Sequence, residues 1–170
     1  TNWLGSMGKN YLYTTGSPGT WAETGHFLLP SDAYRAIKLS DGKVLRCGGY
    51  STLAAAVLKD CFVFDPATSN WSTVGKMSTA RQNFGMVRLP NNKVLAVGGR
   101  TDNGTAVTAT AELFDPTTGA WTTTGSITTA RSHHEVLMLQ DGDTVLLAGG
   151  DNGAAGATHY TAAEKYSITA

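Results

Sequence analysis

Charge is scarce in this 170-residue sequence, where Asp, Glu, Lys and Arg together make up 15%. The 13 basic and 13 acidic residues cancel, so nucleic acid finds no basic stripe and no acidic arm is offered. Long apolar runs are missing as well. The longest, such as 145–148, stop at glycine, far short of the ~18 residues a membrane span needs. Helix-building runs of Glu, Lys and Leu are absent, while Gly, Thr, Ala and Ser abound, and that mixture favours strands and turns. Cysteine occurs twice, at Cys47 and Cys61, too few for a disulfide framework. The pair fits one bond between neighbouring strands or two separate buried thiols. No Gly-x-Ser-x-Gly elbow, phosphate loop or His-Glu-x-x-His appears. The sequence opens at Thr1 without Met or a leader, and reads as a processed chain or a piece of something longer.

What is present is a repeat. Trp21, Trp71 and Trp121 stand 50 residues apart, and glycine pairs recur at Gly48-Gly49, Gly98-Gly99 and Gly149-Gly150. Gly25, Gly75 and Gly125 each follow a Trp by four, and Arg81 and Arg131 follow by ten, with Ser31 in that place in the first unit. Each unit predicts four strands. The first covers 34–39, 84–89 or 134–139, and a turn of Asp41-Gly42, Asn91-Asn92 or Asp141-Gly142 suits a hairpin. The second is a short apolar run, at 44–45, 94–97 and 145–148, of the kind covered on both faces. It stops at the glycine pair, where a missing Cβ permits a sharp exit. The third covers 61–64, 111–114 or 163–166, and the fourth opens at the Trp. Four antiparallel strands per ~50 residues make a propeller blade.

The segments Phe64-Asp65-Pro66-Ala67-Thr68-Ser69-Asn70-Trp71 and Phe114-Asp115-Pro116-Thr117-Thr118-Gly119-Ala120-Trp121 resemble the kelch signature. Together with Asp41-Gly42-Lys43-Val44-Leu45, they are similar to repeats related to the galactose oxidase propeller. The resemblance covers 21–166 and implies an all-β, kelch-type propeller. It would be a single domain of about three blades: N-terminal strand material in 1–30, blades at 31–80 and 81–130, and a last blade at 131–170 without its fourth strand. Trp21 opens a fourth strand whose predecessors reduce to a remnant at 11–13, and Trp3 is a rival opening of the same kind. Two completions follow. Two chains exchange N-terminal Trp strands head to tail to give six blades, or further blades belong to a longer polypeptide.

Within that frame the candidate ligand residues lie on loops at one face of the disc. The position after each glycine pair carries Tyr50, Arg100 or Asp151, different chemistry on one scaffold, as a recognition surface requires. Asp102-Asn103-Gly104 and Asp151-Asn152-Gly153 recur in those loops; turn-making explains them more simply than calcium, which takes more carboxylates. His159 and His26 fall in loops and are able to meet, whereas His133 and His134, being adjacent, point to opposite faces. His134 shares its place with Tyr34 and Phe84 and reads as packing. Arg81 and Arg131 are expected to hydrogen-bond between blades. The galactose oxidase resemblance implies copper held by Tyr and His with a Cys–Tyr bond, but no position here matches, so no cofactor is expected. The leading expectation is a non-catalytic module that binds a protein or glycan outside the cell. Asn70-Trp71-Ser72 and Asn103-Gly104-Thr105 fit the glycosylation pattern of secreted proteins. The alternatives are a piece of a copper oxidase or carbohydrate-active enzyme, and a self-assembling structural subunit.

Overall fold

The computed structural model describes residues 10–24, 29–154 and 157–168, and every regular element in them is a strand. No helix among them is long and apolar enough to cross a membrane. The first blade is built from β3 (Arg35–Lys38), β4 (Val44–Cys47), β7 (Cys61–Asp65) and β8 (Asn70–Thr73). The second has β9 (Gly85–Arg88), β10 (Val94–Val97), β11 (Ala111–Asp115) and β12 (Ala120–Thr124). The third has β13 (Glu135–Met138), β14 (Thr144–Ala148) and β15 (Glu164–Ser167). Each is an antiparallel meander in chain order, and the first strands β3, β9 and β13 lie side by side around a common axis. Two small elements complete the set: a hairpin of β1 (Asn10–Thr14) and β2 (Thr20–Thr24), and a ribbon of β5 (Tyr50–Ser51) and β6 (Ala56–Val57) within a loop.

The expected 11–13 remnant is a full strand. In the hairpin Tyr13 faces Trp21, as Phe64 faces Trp71 and Phe114 faces Trp121. Their ring centroids are 4.9, 5.1 and 5.3 Å apart, at similar tilts. The hairpin is thus an outer half-blade, third strand plus fourth. Trp3 and His26 lie outside the described residues.

Two apolar cores separate the three blades. The face of blade one bearing Leu45, Cys61 and Val63 packs on Phe84, Val94 and Phe114 of blade two. Leu95, Val97 and Ala111, on the other face of blade two, pack on Val136, Val145 and Leu147. A second strand flanked on both faces has to be apolar throughout, and β10 is buried at all four positions. Repeat spacing stretches to 51 where Asp143 adds a residue to the last hairpin: Leu139 N–H bonds Thr144 O, whereas Leu89 N–H bonds Lys93 O.

The glycine pairs are where blades interlock. A Cβ on Gly48 would stand 2.9 Å from the Phe84 ring, and one on Gly98 2.6 Å from the His134 ring. Both glycines sit at positive φ, 66° and 64°, so glycine is required for space and for backbone together. Each following glycine donates its N–H to the next blade: Gly49 to Arg81 O and Gly99 to Arg131 O, both 2.8 Å.

Cys47 and Cys61 are bonded to each other. They face one another directly across β4 and β7, with Cα atoms 4.2 Å apart. The bond closes a chain segment with a sequence separation of 14 that holds the β5–β6 ribbon. Closing a loop of this length restricts the unfolded chain by about 3 kcal/mol. Thiol titration in denaturant without reductant is therefore expected to find none, and a Cys47→Val/Cys61→Ala variant, copying Val97 and Ala111, to fold with a lower denaturant midpoint. Two titratable thiols would refute the bond.

Candidate functional site

Blade connections and second-to-third-strand loops share one end of the strands, stitched there by isolated bridges. Asp32 bridges Tyr50, Gln82 bridges Arg100, and Ser132 bridges Asp151. The three varied positions are therefore held in one backbone setting. Next to each bridge stands a non-glycine residue at positive φ: Ala33, Asn83 and His133, at 53°, 51° and 55°. Their backbones link from blade to blade, Asn83 N–H to Ala33 O at 3.1 Å and His133 N–H to Asn83 O at 3.0 Å. Lying just before the innermost strands, these three residues rim the axis.

The expected ligand residues divide by role. Arg100 donates from Nη2 to Gly153 O at 2.9 Å, so it clamps the neighbouring loop. Asp102 Oδ1 accepts Gly104 N–H at 2.9 Å and Ala106 N–H at 3.0 Å, a turn device. Asn152 Oδ1 accepts Ala154 and Thr158 N–H, both at 3.2 Å, for the same purpose. The two Asp-Asn-Gly triplets are two residues out of step, because Asp151 directly follows its glycine pair and Asp102 does not. Asn103 is exposed at the loop tip. Tyr50 is half-buried and lines a small cavity with Pro30, Ser31, Asp32 and Thr52. His159 is exposed and bridges Asp151 through backbone.

Asp151 does more than turn the chain. Its Oδ1 accepts Ser132 Oγ–H at 2.9 Å and Gly153 N–H at 2.8 Å, while Oδ2 meets His133 Nδ1 at 2.9 Å. Burial opposes its ionisation, but the Gly153 N–H, the Ser132 hydroxyl and His133 outweigh that and hold the carboxyl below its ordinary range. An ionised carboxylate only accepts, so hydrogen bonding assigns the proton to His133 Nδ1. The rest of the ring is open, with 45% of the side chain exposed. Sequence reading set His133 aside with its neighbour. The alternation it foresaw is observed, since His134 is buried and His133 open. Its pairing with Asp151, 18 residues on, depends on the bridge and the positive φ. Asp32, beside Tyr50, was likewise missed.

The recurring arginines build the frame under this face. Arg81 Nη1 bonds Gly98 O at 2.8 Å and Thr110 O at 2.9 Å, and Nη2 bonds Thr110 Oγ1 at 2.8 Å and Glu112 Oε1 at 3.0 Å. Glu112 in turn accepts Ser78 N–H at 2.6 Å and Thr79 N–H at 3.1 Å. Arg131 and Glu164 repeat the device on Thr128 and Thr129. The side chain of each Arg bonds within the blade it introduces, and its carbonyl, through the Gly N–H above, makes the link between blades. In blade one Ser31 and Phe62 take the Arg and Glu places. A guanidinium returns from another strand, as Arg46 Nη2 bonds Ser31 Oγ at 2.6 Å with its plane 4.1 Å over the Tyr34 ring.

A copper centre of the oxidase type does not fit these residues. It needs a cysteine bonded to tyrosine, and both cysteines are joined to each other. Among the described residues no group of three or more His, Cys, Asp or Glu is placed to hold a metal.

No protein-family model and no curated protein matches the chain. Solved structures do. The structure of YjhT superposes with a TM-score of 0.80 at 17% identity, over 95% of this chain and 56% of YjhT. A fungal alcohol oxidase with catalytic diversity among the AA5 family, in complex with copper, gives 0.76 at 22%, over 94% of this chain and 36% of the oxidase. The chain thus spans about half of one and a third of the other. The likeness is one of fold, and it supports the kelch, galactose oxidase-like propeller architecture.

Proposed function

We propose that the chain is a non-catalytic kelch-type propeller module that recognises a protein or glycan through its loop face, outside the cell. One observation carries the reading: the bridged backbone setting shared by Tyr50, Arg100 and Asp151 places Tyr50 beside Asp32 and, through Asp151, holds the exposed His133 on the same face. A constant frame with varied tips is how repeat proteins build recognition surfaces. The chemistry leans toward a glycan. Tyr50 with Asp32 offers an apolar ring beside an acceptor, and the exposed His133 ring, held by Asp151, adds a further polar group for a hydroxyl. The Cys47–Cys61 bond supports an oxidising compartment.

A glycan array probed with the labelled chain, followed by titration of any hit, tests this. Tyr50→Ala and His133→Ala are expected to weaken the hit roughly 10-fold each, about the value of one lost charge-assisted or stacking contact. Lys93→Ala, at the opposite end of blade two, is expected to leave it unchanged. Binding that ignores Tyr50 and His133, or an empty array, defeats the glycan reading. The likeness to the copper-bound oxidase covers 36% of that protein and is one of fold, so it carries no oxidase reading by itself.

A further inference from the structure

Each blade turns one apolar face toward its successor. Leu39 and Leu45 of blade one are buried there, as are Leu89 and Leu95 of blade two. Their counterparts Leu139 and Leu146 in blade three are only partly buried, and Leu137, which occupies the place of Val87, is 58% exposed. At the other end of the arc, Tyr34 stands where Phe84 and His134 stand, yet it is 41% exposed while they are fully buried. The hollows complete the picture. Phe84 fills the space at Gly48 and His134 that at Gly98, whereas among the described residues nothing lies within 4 Å of a Cβ built on Gly149.

The backbone repeats the same asymmetry. Gly49 and Gly99 donate to Arg81 O and Arg131 O, and the next members of that series are Gly150 N–H at one end and Ser31 O at the other. Asn83 and His133 donate to Ala33 O and Asn83 O, and the next pair is Ala33 N–H with His133 O. Side-chain sizes also compensate. Gly85 of blade two stands against Val136, small against large. At the open face Glu135 holds the Gly85 place and Ala36 holds that of Val136, so large would meet small. Both halves of one junction are thus carried by this chain.

We propose that two copies associate head to tail, the Leu137 face of each receiving the Tyr34 face of the other, and close a six-bladed ring. The partner is a second copy because the ring and the main-chain hydrogen-bonding groups needed at the open face are found on the chain's own opposite edge. Heterologous contacts of this kind either close or run on. Three blades per copy close within the four to eight that propellers use. One segment has to give way. β1 lies where β15 of the neighbouring copy belongs, as the third strand beside β2. β1 is exposed along 11–13 and bonded only to β2, whereas β15 is anchored through Glu164 to Arg131. In the ring β15 takes the place of β1, and Tyr166 replaces Tyr13 beside the partner's Trp21.

Sedimentation velocity of the 170-residue chain tests the proposal. The expected species has twice the 17.8 kDa mass of one chain at micromolar concentration. Leu137→Glu, at a site too exposed to disturb the fold of one copy, is expected to weaken association roughly 100-fold, the cost of placing a charge in an apolar contact. Deleting residues 1–14 is expected to strengthen association, because the competing strand is gone. A monomer with intact strand circular dichroism at ~100 µM, a dimer indifferent to Leu137→Glu, or oligomers that keep growing with concentration would each overturn it.

Discussion

Arg81→Leu is expected to destabilise the chain by about 3–5 kcal/mol, the usual cost of stranding one partner of a buried ion pair. For a domain of this size that is a loss of roughly 10 °C or more in Tm. The reason lies in Glu112, which shares complete burial with the arginine. Burial disfavours its charge, and the Ser78 N–H, Arg81 and the Thr79 N–H together more than offset this, holding the carboxyl below its ordinary range. Without the guanidinium, two carbonyls and one hydroxyl also lose a donor. The double variant Arg81→Leu/Glu112→Leu is expected to lose less than the two single losses combined, since no charge remains buried alone. Arg131→Leu is expected to cost less than Arg81→Leu, because the Glu164 side chain keeps 18% of its exposure and water can replace the partner. Urea unfolding followed by Trp fluorescence reads all four. Strict additivity in the double variant would show that the pair is not coupled.

The second large effect is acid sensitivity centred on His134. Burial, with Arg131 nearby, lowers its pKa from 6.5 to about 4. The unfolded chain takes up a proton as pH falls through 6.5, while the folded chain refuses it until about 4. Stability attributable to this residue is therefore intact above 6.5 and declines between 6.5 and 4, by roughly 3 kcal/mol in all. Glu112 and Glu164 act lower. Their pKa values are depressed from 4.5, so what they contribute is present above that value and lost beneath it. His134→Phe copies Phe84, whose ring fills the equivalent hollow. It is expected to flatten the upper window and leave the lower one. Urea midpoints at pH 7, 5.5 and 4.5 make the comparison, and a variant declining as steeply as the parent down to 4.5 would count against the assignment.

Much of this architecture was legible because propeller blades repeat their chemistry at fixed intervals. Trp71 and Trp121 mark where the fourth strands begin, and each glycine pair marks where a second strand ends, within a residue or so. The packing role of His134 could be read from Tyr34 and Phe84 in the same slot. The glutamates were equally available, since Ala111-Glu112-Leu113-Phe114 and Ala163-Glu164-Lys165-Tyr166 share a pattern. They escaped notice because the loops before them differ in length, so their distance from the arginine varies. Tyr13 lay in a stretch read as a remnant, because Thr14-Thr15-Gly16 replaces the Asp-Pro turn that follows the third strands of blades one and two. His133 was hidden for another reason. Its contact with Asp151 is made by a left-handed backbone residue and a two-residue bridge, neither of which leaves a periodic trace.

The left-handed residues at the rim also decide how such a face can change. Ala33, Asn83 and His133 are linked from blade to blade by main-chain hydrogen bonds, so that link does not depend on their side chains. Substitution there should be governed by tolerance of positive φ, which admits Gly, Asn, Asp and His and penalises β-branched residues. The mouth of the axis can thus be re-lettered within a short alphabet of small and polar residues while the walls stand unchanged.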